Sequence, residues 1–545
     1  MTESHPSYVI SRRAEITKQL AILNAQISLL KGEYNALSSV SILPNEILVQ
    51  ILSGVQDPTS TYPNPLLVLT RLMLVCKHWC EVMLASPTLW SKICGGWQYR
   101  SNCLTVQLAR SGEAPLLIKL SRLGNQFDGP TVLQHARRIQ TLEIGGSPRY
   151  VLAFMQDMAD FDFPILTNLV LNPIERASES EDDTASEAIF PSELFERIPR
   201  LCNLSLSRIN ARWETLPPLR SLSLTAHSPA GNGPLPFSML VQFLQSSPFL
   251  ETLRLDMMIP EHAPEGVQKI TLSHLTVLYI RDFIQQCEAL VKLLDFPPTT
   301  QLQLYTQSVN NGSHVRDILL PIRRHLRAPG APLIQTLVLQ APFIAGSIAH
   351  CSVSCFTTNF DSKQGAALDE WDGHFMINTH PRNAPALRQI LSKILKALPS
   401  QSLTFLDATQ AQFSRPTWKM TLALLPALHT VRLYVGAGGA NFCDAASEMK
   451  VSFTAIDLRS FIRARDPDGA QEDDPELEEI APFFEALKRL LLPRNRTEGK
   501  TLGRLTVRDY FGALNFERSE WEEMADKVEV AIGFAAYRVE ESSAG

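Results

Sequence analysis

The chain has 545 residues and a formal net charge of −6 at pH 7, with 45% hydrophobic and 19% charged residues. That balance excludes a disordered chain and argues against a general nucleic-acid binder, which carries a basic face. Nine cysteines fall without a regular framework, and no secretory leader pattern opens the sequence. They read as reduced thiols of a soluble protein expected in the cytoplasm and/or nucleus.

The first predicted element, within residues 1–38, is an amphipathic helix. Ile16, Leu20, Leu23, Ile27, Leu30, Tyr34 and Leu37 follow the alternating 4,3 spacing of a coiled-coil seam. Periodicity does not name the partner surface, so two readings stay open: packing on the next domain, or self-association through residues 16–37.

Residues 39–97 form the second segment. In LPNEILVQIL, the apolar residues Leu43, Ile47, Leu48, Ile51 and Leu52 share one face of a short helix that cannot bury it alone. Pro44 suits a first helical turn, where its missing N–H costs nothing. A Pro-rich loop then leads into one expected helix over Leu66–Trp90. Its most apolar part, Pro65–Val75, contains Arg71 and is too short for a membrane span. Cys76 and Cys80, one turn apart, read as buried thiols.

Leu43–Trp90 resembles an F-box. The resemblance rests on LPNEIL, then LVCKHWCEVM with Lys77 and Trp79, then PTLW, in the family's order but with a lengthened first loop. A longer surface loop costs little entropy. The resemblance implies docking on a Skp-type adaptor, and through it a cullin–RING ubiquitin ligase. The residues it carries over are Leu43, Pro44, Ile47, Leu48, Ile51 and Leu52 in the first helix. Leu74, Val75, Cys76, Trp79, Leu89 and Trp90 carry over in the second block. Of these, Leu43, Pro44 and Leu48 are expected to face the adaptor, with Trp79 in a mixed role.

From residue 98 to 515 a frame of apolar-x-x-apolar-x-apolar recurs. Copies include IQTLEI (Ile139–Ile144), LTNLVL (Leu166–Leu171), LCNLSL (Leu201–Leu206), LRSLSL (Leu219–Leu224) and LETLRL (Leu250–Leu255). LTVLYI, TTQLQL, IQTLVL, LHTVRL and LGRLTV continue it to Val507. One short strand per unit with a returning helix resembles an irregular leucine-rich repeat, although the usual Asn or Cys of that motif is absent. A conventional parallel α/β domain is the other reading. The gaps Leu339–Leu403 and Leu433–Leu502 are expected to hold degenerate repeats or insertions, and residues 175–188 an acidic exposed loop. Residues 516–545 are expected to supply a capping helix, Ser519–Val539, and a tail.

The expected fold is therefore α/β: an N-terminal helix and small helical F-box followed by a leucine-rich-repeat-like solenoid. Side chains at the x-positions, such as Thr141, Glu143, Asn168, Asn203, Ser205, Ser221, Ser223, Thr252 and Arg254, would form the substrate surface. No cofactor, metal or catalytic residue is expected. In GKT (Gly499–Thr501) the phosphate-loop pattern places Arg494 where it needs glycine, and CSVSC (Cys351–Cys355) lacks the second half of a zinc site. The expected function is substrate recognition within an SCF-type ubiquitin ligase, with a non-catalytic interaction scaffold outside any ligase as the alternative. The protein substrate is not encoded in any motif.

Overall fold

A computed structural model describes residues 5–55, 65–95, 101–123, 129–174, 189–225, 237–259, 268–309, 312–341, 343–344, 347–348, 350–358, 373–381, 383–460, 480–492, 502–509 and 521–532. The acidic stretches 175–188 and 465–479 and the GKT segment lie outside these residues, as does most of the lengthened F-box loop. Two compact units divide the chain, Met1–Leu206 and Ser207–Gly545.

The first unit opens with helices α1 (His5–Ala36), α2 (Asn45–Val55), α3 (Pro65–Met73), α4 (Lys77–Leu84) and α5 (Pro87–Trp90). The single helix expected over Leu66–Trp90 is three. Leu74 and Val75 form the turn after α3, with amides bonded back to Arg71 and Leu72. Pro44 stands just before α2, where its carbonyl accepts from the Leu48 amide at 3.0 Å. The reading of α1 as a helix packed on the next domain is corrected by its environment. From Val9 to Ala36 its side chains are exposed, save the half-buried Asn35.

Five parallel strands follow: β1 (Lys92–Gly95), β2 (Leu116–Leu123), β3 (Ile139–Gly146), β4 (Asn168–Pro173) and β5 (Asn203–Ser207). The repeat anchors are in register, Leu142 beside Leu169 and Leu169 beside Leu204. All three are buried. Helix α6 (Ser101–Arg110) lies between β1 and β2. Arg138 ties down the end of this helix: Nη2 donates to Leu108 O, one of its last carbonyls, at 2.9 Å, and Nη1 donates to Ser111 Oγ at 2.8 Å and Ala114 O at 3.2 Å just beyond it. An arginine fork suits this because terminal carbonyls have no partner within the helix.

The second unit begins with β6 (Ser221–Thr225), β7 (Thr252–Asp256), β8 (Val277–Phe283) and β9 (Gln301–Val309), all parallel, with Leu222, Leu253, Leu278 and Leu302 in register. The run then changes hand-over. β10 (Thr336–Ala341) does not pair with β9. β12 (Phe375–Pro381) takes that place, parallel to β9, with Phe375 beside Leu302. β11 (Cys351–Phe356) lies between β12 and β10, antiparallel to both. β10 in turn pairs in parallel with β13 (Phe405–Ala411). Parallel order resumes through β14 (Thr430–Tyr434), β15 (Ala455–Ser460), β16 (Leu502–Asp509) and β17 (Ala525–Ile532).

Of the two readings open for the gap Leu339–Leu403, degenerate repeats or insertions, the structure shows an insertion, the β11–β12 pair. The expectation for the C-terminal segment is corrected. Ala525–Ile532 is a strand, not the middle of a capping helix. Its alternation of Val528 and Val530 with Lys527 and Glu529 satisfies a period of two, and it pairs with β16 along its length. Amphipathic helices accompany the strands. Those at Ile284–Leu293, Gly312–Leu326, Ala384–Ala397, Arg415–Ala423, Ala437–Met449 and Ile480–Leu491 pack each against the next.

Candidate functional site

The small helical segment is built around one apolar core: Leu48, Leu52, Leu69, Val82, Met83, Leu89 and Trp90, with Val49, Leu66, Leu72, Met73 and Trp79 packed against it. Trp90 satisfies its indole by donating Nε1–H to Met83 O at 2.8 Å, as a buried tryptophan requires. Cys76 caps α4, its sulfur accepting from the Trp79 amide at 3.5 Å. The segment is anchored to the sheet that follows. Lys92 Nζ donates to Ser53 O at the end of α2, the Leu117 amide donates to Ser91 O, and the Arg110 guanidinium stacks 5.2 Å above the Trp90 ring.

That core divides the sequence-selected residues. Leu48 (1% exposed), Leu52, Leu89 and Trp90 are inside it. The expectation that Leu48 faces a partner is therefore corrected: it holds the domain together. Leu43, Cys76 and Trp79 are half-buried and Pro44 is exposed. Cys76 is a helix cap, and Cys80 is half-buried too; neither is the buried thiol expected. Ile47 (41% exposed), Ile51 (48%), Leu74 (84%) and Val75 (57%) present apolar surface to solvent. Ile47 and Ile51 are one turn apart on α2, and Val55 (also exposed) extends the row. Leu74 and Val75 are outward because the α3–α4 turn displaces them from both helices. Sequence reasoning did not select Val55, Ile42 or Leu67, all exposed. A helical projection of α2 would have found Val55, eight residues beyond Ile47.

Residues 40–95 match the F-box-like family. The matched segment covers all four helices of this core and reaches β1. No curated protein matches the chain. The F-box-like domain is thus a helical module at the N-terminal side of a mostly parallel α/β fold, and F-box domains generally bind the Skp adaptor of SCF complexes. Typical F-box proteins are non-catalytic.

A second surface lies on the sheet of the other unit, on the side chains that alternate with the leucine anchors. Arg254, Asp256, Tyr279, Arg281 and Tyr305 meet there. Arg281 pairs with Asp256 at 3.7 Å and the two tyrosine rings stand 5.2 Å apart. Burial pushes the Tyr279 hydroxyl up to about 12, helped by Asp256 and Tyr305. Burial also raises Asp256, against the pull of Arg281. The expected x-position residues are mostly half-buried, and Thr141 is fully buried. Further along the same unit the alternate positions are closed in altogether. Arg432 is sandwiched between Asp407 (3.0 Å) and Asp457 (2.8 Å) across β13, β14 and β15.

Among the described residues no cluster of His, Cys, Asp or Glu could hold a metal ion. Cys351 and Cys355 alternate on one face of β11, both fully buried, and burial pushes the Cys351 thiol up to about 12. A protonated, enclosed thiol is a core residue, not a ligand. No helix among the described residues is long and apolar enough to cross a membrane.

Proposed function

We propose that the protein is a substrate receptor of an SCF-type ubiquitin ligase, docking on a Skp-type adaptor through the exposed apolar residues of its F-box-like domain. The carrying observation is the split within that domain. Leu48, Leu52, Leu89 and Trp90 complete a sealed core, while Ile47, Ile51, Leu74 and Val75 are left outside it. Apolar side chains grouped outside a finished core suit a protein interface. Leu43 and Pro44 flank the row on α2, and Trp79 packs half-buried against the core.

The strands and returning helices would act as irregular leucine-rich repeats. Their alternate side chains, centred on Arg254, Tyr279, Arg281 and Tyr305, would hold the protein substrate. The ligase then acts by proximity: a substrate held on the repeats meets the ubiquitin-charged enzyme at raised effective concentration.

Co-purification with the Skp adaptor tests the reading. The wild-type chain is expected to bring the adaptor down, and Ile47→Glu/Ile51→Glu to lose it while melting at the wild-type temperature. Truncating central apolar anchors of an interface commonly costs about 2 kcal/mol each or more, and a charge there costs further desolvation. A wild-type chain that ignores the adaptor ends the ligase reading.

A further inference from the structure

Among the described residues, α1 carries more exposed large apolar side chains than the F-box-like domain does. Val9, Ile16, Leu20, Leu23, Ile27, Leu30 and Tyr34 are all 40% exposed or more, on a helix of 32 residues. Nothing among the described residues buries them. A helix of this composition standing alone in water loses its main source of stability, because most helical stability in proteins comes from packing an apolar face. These seven residues trace a heptad seam, while Ile10, Ile22 and Leu29, exposed too, lie off it. Leu20, Ile27 and Tyr34 occupy the a positions, with Arg13 one heptad earlier, and Val9, Ile16, Leu23 and Leu30 occupy the d positions.

We infer that α1 pairs with the α1 of a second copy of this chain as an antiparallel two-stranded coiled coil. The argument is self-complementarity. Laid antiparallel, Leu20 meets Leu23 of the other copy, Ile16 meets Ile27, Val9 meets Tyr34, and Arg13 meets Leu30. Each apolar seam residue faces an apolar residue or an aliphatic stem. Arg13 can lie along Leu30 and carry its guanidinium out to water. The same alignment brings the flanking Arg12 of each helix beside Glu33 of the other, which gives two opposite-charge contacts per dimer. The parallel alignment is worse on both counts. It stacks Arg13 on Arg13 inside the seam, a like-charge contact in a desolvated layer. It also leaves the flanks to Gln19, Asn24, Gln26 and Lys31, which offer no opposite charges. Charge at flanking positions sets orientation in such pairs. An antiparallel pairing would join two F-box-like domains in one particle. The inference is independent of adaptor binding, since the seam from Val9 to Tyr34 lies outside residues 40–95.

Light scattering on the full chain across a concentration series tests it. The wild type is expected to reach twice its monomer mass of 60.8 kDa. Leu20→Glu/Leu23→Glu is expected to remain monomeric, with an unchanged melting temperature, since neither side chain touches a core. Orientation is read by charge exchange. Arg12→Glu and Glu33→Arg are each expected to weaken the dimer by about tenfold, and the double exchange to recover to within about threefold of wild type. The two residues are some 31 Å apart along one helix at 1.5 Å per residue, so recovery can arise only between copies. A monomeric wild type at all concentrations, or a mass above the dimer, overturns the inference. So does a dimer in which the double exchange gives no recovery.

Discussion

Leu48 and Ile47 are adjacent in sequence and opposite in environment, and their substitutions separate stability from binding. Leu48→Ala removes a side chain at the centre of the F-box-like core. It is expected to cost about 2–5 kcal/mol, visible as a lowered melting temperature and reduced adaptor capture together. Ile47→Glu changes capture alone, because Ile47 is outside the core. Single residues also set a pH dependence. His374 lies 5.7 Å from His325, ring against ring, and burial, reinforced by the charge of His325, holds its imidazole down at about 4. Burial likewise lowers His325, against a bond to Thr300 O. A histidine depressed in the fold binds fewer protons than in the unfolded chain, so its contribution is complete above about pH 6.5 and is lost as pH falls towards 4. The melting temperature is expected to fall across that window, and His374→Gln to flatten part of the slope. Equal slopes in the two proteins would show that the fall has another source.

At the scale of elements, the buried Asp407–Arg432–Asp457 ladder shows how a parallel sheet can place charge inside. Desolvation opposes the charged guanidinium, but the two flanking carboxylates outweigh it and raise Arg432 above its ordinary value. Arg432→Leu would strip Asp407 of its buried guanidinium and leave Asp457 only the more distant Arg459 (3.7 Å) and Arg508 (3.8 Å), and is expected to cost about 3–5 kcal/mol in chemical denaturation. An apolar replacement of the whole triad is not expected to recover that loss, because it would leave the buried Arg459 without the carboxylate beside it. A tight contact nearby is equally sensitive. A Cβ on Gly439 would stand 2.3 Å from Tyr434 O and 2.7 Å from the Phe483 ring, so the helix Ala437–Met449 can approach its strand only with glycine there. The strands of this region were readable in part. LHTVRL and LGRLTV announce β14 and β16. FTAIDL at Phe453–Leu458 obeys the same frame and forms β15, yet its central Asp457 hides it among polar residues. The antiparallel β11 was not readable, because CSVSCF looks the same whichever neighbour it pairs with, and pairing is decided by residues far away in sequence. Likewise, spacing puts Ile47, Leu48, Ile51 and Leu52 together on one side of α2, but it cannot separate Ile47 from Leu48. Only the positions of α4 and α5, which close over Leu48, do that.

On the scale of the whole molecule, each unit extends a mostly parallel sheet strand by strand, and such a sheet must deal with its last edge. In the second unit the last described strand is β17, where a capping helix was expected from the mixture of apolar and charged residues in SEWEEMADKVEVAIGF. Both periods fit parts of that stretch. The strand is the outcome that also pairs the open ladder of β16 and buries Trp521, over which Lys488 sits 5.8 Å from the ring centroid. Ending the chain at residue 520 would uncover the backbone donors and acceptors of Leu502–Asp509 together with the packing surface of Phe484, whose ring lies 5.5 Å from that of Trp521. The truncated protein is expected to melt lower and to form concentration-dependent aggregates by edge pairing. Sedimentation of wild type and truncation at matched concentrations checks this. The adaptor-binding reading adds a control from the other unit: soluble truncated protein should still capture the adaptor, since the F-box-like core of Leu48, Leu52, Leu89 and Trp90 draws no side chain from β16 or β17. Loss of capture by soluble, monodisperse truncated chain would mean that the apolar row on α2 is not sufficient for docking, and would move the adaptor contact beyond the F-box-like domain.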